Sequence, residues 1–241
     1  MAINASSLPR QSDGRLFLIA AIGFPLLVFI GYFKSYYFSA FFDVKPVANA
    51  LVHMHGIVMS IWVLYFVAQV ALIRSKNVKL HMSMGMAGIA LAALVVIVGL
   101  ATAYDAQLVR GAAPPGADPH EFFILPVGDM LLFVVYFAGA IYYRKRPLEH
   151  KSLMLMTAIN FAPAALFRIP IVPESFTLWF AFGIPVLLAI FGLVWFKVKH
   201  GKFNRIFVAA LLLYLIALPV PFRMVFAQTA AWHSFTNWLA P

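Results

Sequence analysis

The strongest constraint on this chain is a succession of seven apolar stretches, at 16–38, 51–73, 81–103, 121–143, 150–172, 175–197 and 205–223, joined by short polar connections. A helix needs about 20 apolar residues to cross the hydrocarbon of a bilayer, and as a helix it satisfies its backbone donors and acceptors internally. The runs are continuously apolar rather than alternating, so barrel strands are not expected. Hydrophobic residues make up 63% of the chain and charged residues 11%, with a mean hydropathy of +0.91, too little polar material to cover a water-facing surface. The prediction is an all-α integral membrane protein of about seven transmembrane helices, one transmembrane domain over 1–241. A four-helix core (spans 2–5, residues 50–172) carries the peripheral spans 16–38, 175–197 and 205–223.

Charge sets the expected orientation. Arg74, Lys76 and Lys79 mark one connection, Arg144, Lys145, Arg146 and Lys151 a second, and Lys197, Lys199, Lys202 and Arg205 a third. Basic connections face the cytoplasm. The other side is comparatively acidic, with Asp43, Asp105, Asp118, Glu121 and Glu174. An odd span count then leaves the amino terminus inside and the carboxyl terminus in the periplasm of a bacterial-type inner (plasma) membrane. The polar opening MAINASSLPRQSDGR precedes a first helix read as retained. The tail 224–241, with Trp232, His233 and Trp238, reads as an interfacial helix. The formal charge of +10 lies beside apolar segments, where it meets anionic headgroups, and nucleic acid is not an expected partner.

The chain has no cysteine, which excludes disulfides, thiolate-bound iron–sulfur clusters, thiolate zinc and covalent haem attachment. Any redox centre is then held by His, Met, Asp or Glu, or is a flavin or quinone. His55, His81, His120 and His150 fall at the ends of four successive segments on alternate sides, His55 with His120 and His81 with His150. A b-type haem takes two neutral imidazoles on opposite faces of one iron, and diagonal helices of a four-helix bundle meet that need. Two such pairs, one per leaflet, would hold two haems.

These residues resemble the cytochrome b561 family of transmembrane cytochromes over roughly 50–172. HGIVM at His55 is similar to the family's His-x-x-x-Met, and the order and spacing of the four histidines match its four ligands. The resemblance implies haem b held by His55 with His120 and by His81 with His150, and single electrons carried between a quinol or other small donor and an acceptor across the membrane. EFFILPVGD after His120 departs from the small residue and glycine usual there. The chain also resembles uncharacterised bacterial multi-pass proteins with a His-Gly second helix and a Glu-His-Lys fifth helix, a likeness that fixes no activity.

Other readings stand beside this one. A lone histidine at a helix end is ordinarily an interfacial residue, and His200 and His233 are read that way. His53, His55 and His120, with Asp105 or Glu121, form an alternative outer-face site for one Zn, Cu or Fe ion. A cofactor-free subunit of a larger membrane complex is the third reading. Asp129 lies inside a span, where an acid calls for a partner. Arg168 is its expected ion-pair partner, and the two are candidate proton or propionate contacts.

Overall fold

Most helices in this protein begin at a residue that supplies an oxygen for free amides or lacks an amide of its own. The computed structural model describes residues 14–42, 44 and 49–241, so the opening segment 1–13, Asp43 and the side chains of Glu174, Val220 and Pro221 lie outside the described residues. Helix α1 (Gly14–Tyr32) runs into a π-helical turn, Phe33–Tyr37. Asn49 opens α2 (Ala50–Arg74) by accepting the Val52 amide at 3.1 Å, and Asn77 opens α3 (Val78–Tyr104) by accepting that of Leu80 at 3.2 Å. Asp118 caps the single turn α4 (Pro119–Phe122), which leads into α5 (Ile124–Tyr142). Pro147 takes the first position of α6 (Pro147–Leu166), where its missing N–H costs nothing. α7 (Glu174–His200) ends on Gly201 at φ 72°, a left-handed conformation that suits glycine. Asn204 then caps α8 (Arg205–Ile216), and α9 (Met224–Ala227) and α10 (Ala230–Leu239) close the chain.

α1, expected at the periphery, joins α2, α3, α5 and α6 and closes their ring between α6 and α2. Around the bundle the packed neighbours run α2, α3, α5, α6, α1 and back to α2, while α7 and α8 lie against the outside of α6. The axis is filled by aromatic rings from three helices. Trp62 meets Phe133 edge-on at 5.0 Å, and Phe133 meets Phe161 at 4.9 Å. Outward-facing positions are apolar instead, including Ile19, Leu64, Ile97, Leu131 and Trp179. Such an inside-out surface suits lipid.

Among the described residues, five segments are long and apolar enough to cross a membrane: Gly14–Tyr37, Ala50–Arg74, Val78–Val109, Pro119–Tyr142 and Ser175–His200. α6, expected at 150–172, instead covers 147–166 and carries Glu149, Lys151 and Asn160. Most of it is buried by its neighbours rather than offered to lipid. The run 205–223 is not one helix. α8 stops after 12 residues, and a π-helical turn, Pro219–Arg223, follows. Pro219 and Pro221 have no amide hydrogen to continue the ladder. The tail is helical, as expected, with Trp232 buried and Trp238 outside.

Candidate functional site at the basic end of the bundle

The connections rich in lysine and arginine gather at one end. Arg74 donates to the Gly14 carbonyl at 3.0 Å, tying the end of α2 to the start of α1. Asn204 donates to Ser152 Oγ at 2.8 Å and to the Leu148 carbonyl at 3.3 Å, tying the start of α8 to the start of α6.

Within this end, His81 is the fourth residue of α3 and His150 the fourth of α6, so the two helices deliver them at one height. Their rings meet with centroids 6.4 Å apart and planes at 82°. Two imidazoles sharing one metal through bonds of about 2 Å have centroids roughly 6 Å apart, so this spacing fits axial ligation of a single iron. His150 Nδ1 lies 2.8 Å from the Ala140 carbonyl, ten residues back on α5. A carbonyl only accepts, so Nδ1 carries a proton, which leaves Nε2 as the atom this ring would offer a metal. Gly85 sits one helical turn beyond His81 on the same face, and a Cβ there would meet nothing within 4 Å.

Polar groups of α2 border the same region. Tyr65 donates to the Met84 carbonyl, and Gln69 Nε2 donates to the Tyr65 hydroxyl at 2.8 Å. The His81 ring also makes a backbone hydrogen-bond contact with Gln69. Gln69 Oε1 and His81 Nδ1 are both buried without a hydrogen-bond partner. Buried polar atoms of this kind call for a partner, and an ordered water serves as well as a ligand. Gln69 escaped the sequence reading, although a lone amide in an apolar run is a detectable signal.

The other two histidines are not brought into ring contact with each other. His55 lies in the second turn of α2, its Nδ1 buried and unpaired, with the Arg168 guanidinium close enough to act on it electrostatically. His120 lies in α4, its carbonyl accepting Trp232 Nε1 at 2.8 Å and its own Nδ1 likewise buried and unpaired. His53 packs its ring against Tyr36, with centroids 5.9 Å apart. Asp105 Oδ2 accepts from Asn49 at 2.9 Å and from Arg110 at 2.8 Å. Glu121 faces His233 at 3.7 Å, and Asp118, Glu121 and His233 offer ligand atoms within 4.8 Å of one another. His233 was read as a passive residue of the tail; its place depends on α10 folding back over α4, which local sequence does not reveal.

The expected ion pair of Asp129 with Arg168 is replaced by another. Asp129 Oδ1 accepts from Arg223 Nη1 at 2.7 Å, and the same Nη1 donates to the Leu125 carbonyl at 3.0 Å. Arg168 instead lies over the Tyr32 ring, 4.4 Å from its centroid, and donates to the Ala164 carbonyl. The cause is the break after α8, whose π-helical turn packs against α5 and brings Arg223 to it. Asn160, only 1% exposed, donates to the Asp129 carbonyl at 2.9 Å and completes a polar patch inside the bundle. In comparisons with known proteins, no family model, no curated protein and no solved structure matches the chain.

Proposed function

We propose that this protein is a membrane b-type cytochrome that carries single electrons across the bilayer, with one haem gripped by His81 and His150 and a second served by His55 and His120. The observation that carries the reading is the His81–His150 couple, at 6.4 Å with His150 Nδ1 anchored on the Ala140 carbonyl. Haem supplies the one-electron chemistry when bound. The chain supplies the grip, the tautomer and the low dielectric. Trp62, Phe133 and Phe161 fill the axis between the two ends and keep water from crossing it. The basic end faces the cytoplasm of a bacterial-type inner membrane, the carboxyl terminus lies on the other side, and α6, together with α8 and the turn after it, completes seven passes. A quinol or another small reductant is the donor class, with other membrane subunits as possible neighbours.

A reduced-minus-oxidised spectrum of the purified protein tests this. Sharp α-bands are expected. His81→Ala and His150→Ala each remove one haem equivalent while His55→Ala leaves that equivalent in place. A colourless protein ends the proposal. A second reading draws on Asp118, Glu121 and His233, whose ligand atoms lie within 4.8 Å of one another, as the holder of one divalent ion. Metal analysis separates it, since a colourless protein with one bound ion lost in His233→Ala belongs to that reading.

A further inference from the structure

The end of the bundle opposite the basic connections carries four described cations whose settings differ. Arg110 pairs with Asp105 at 2.8 Å and Arg223 with Asp129 at 2.7 Å. Lys34 and Arg168 pair with no described carboxylate; each lies over an aromatic ring, Lys34 over Phe42 at 5.5 Å and Arg168 over Tyr32 at 4.4 Å. Both line one cleft of about 520 Å³.

The cleft follows from a close crossing of two helices. A Cβ on Gly31 would lie 2.5 Å from the Ala165 carbonyl oxygen, so only glycine lets α1 and α6 touch backbone to backbone there. Beyond the contact, α1 passes into the π-helical turn Phe33–Tyr37, and α6 ends at Leu166. Such turns recur at functional sites because they displace side chains from the regular helical faces. Here the turn holds Lys34 and Ser35 on one wall, and Arg168 stands on the other. The rest of the lining is apolar, with Phe29, Ile30 and Ile169 along it.

We infer that this cleft binds an anionic phospholipid, its phosphate between Lys34, Ser35 and Arg168 and an acyl chain along Phe29, Ile30 and Ile169. Two cations with no described carboxylate partner, beside an apolar wall, complement an amphiphile with a negative head. A neutral lipid brings the pair no counter-charge, and a soluble anion leaves the wall bare. The site rests on membrane placement of the chain, and the Lys34 wall has no described contact with the proposed haem ligands.

Native mass spectrometry tests this on the full-length protein released from nanodiscs of equal phosphatidylglycerol and phosphatidylcholine. Preferential retention of phosphatidylglycerol is expected, reduced about fivefold in Lys34→Gln and in Arg168→Gln, the loss expected for one cation near a lipid phosphate. Arg168→Lys restores most of it, and Lys202→Gln at the basic end leaves it unchanged. Equal retention of the two lipids overturns the proposal. So does an equal drop in Lys202→Gln, which marks general charge attraction, or displacement of the lipid by millimolar inorganic phosphate, which marks a small-anion site. Should Arg168→Gln not fold, Lys34→Gln alone decides, because Lys34 lies on the exposed turn.

Discussion

Arg223 is only 7% exposed; its Nη1 donates to one carboxylate and one carbonyl, and its Nε is buried without a hydrogen-bond partner. Removing one member of a buried pair leaves the other charge uncompensated and costs about 3 kcal/mol, whereas replacing both with apolar groups costs far less. Asp129→Ala is therefore expected to lower the unfolding midpoint in detergent sharply, and Asp129→Leu with Arg223→Met to recover most of the loss. A double variant no better than the single one contradicts a pair that acts as a unit. This partnership was not legible in sequence, because 94 residues separate the two and proximity to the membrane end favoured Arg168. The His81–His150 couple was legible, since each follows a short basic connection and each becomes the fourth residue of its helix. His55 and His120 share an end but not that regularity. Phe123 separates α4 from α5, leaving His120 in a four-residue turn whose direction local sequence does not fix.

Helices here are positioned as much by their first residues as by their apolar faces. Asn204 shows this best: its Oδ1 accepts the amides of Ile206 and Phe207, and its Nδ2 reaches Ser152 and Leu148 on α6. One side chain thus starts α8 and fastens it to α6. Asn204→Ala is expected to cost about 2 kcal/mol, a cap plus a buried hydrogen bond, and Asn204→Asp less, because it keeps the cap and loses only the donor. Thermal unfolding that ranks Asp no better than Ala contradicts the capping role. The same helix explains why the apolar run 205–223 overstated the last span. Hydropathy reads solvent preference and is blind to missing backbone donors, so the stop at Pro219 and Pro221 does not register in it. Irregular backbone at membrane depth is tolerated where protein surrounds it, and Arg223 on Asp129 and Leu125 holds this turn against α5.

At the scale of the whole molecule, fold class was the most legible property, since continuous apolar runs admit few structures other than helices in lipid. Which ends meet is set by contacts far apart in the chain. Arg74 on Gly14, Asn204 on Leu148 and His81 against His150 gather the starts of α1, α3, α6 and α8 at one end. At the other, the Tyr104 hydroxyl donates to the Leu239 carbonyl at 3.0 Å, bringing the carboxyl-terminal helix to the end of α3. The bundle therefore has two chemically different ends, and a membrane across it places them on different sides. The chain contains no cysteine, so single introduced thiols report position without background. Lys145→Cys and Lys202→Cys are expected to react with an impermeant maleimide from one side of sealed vesicles, and Ala117→Cys and Ser234→Cys from the other. All four positions are exposed, so failure to react is a matter of side rather than burial. Labelling of Ser234→Cys together with Lys202→Cys would mean that α8 and the turn after it return the chain to the side it left, and the two-ended bundle would have to be abandoned.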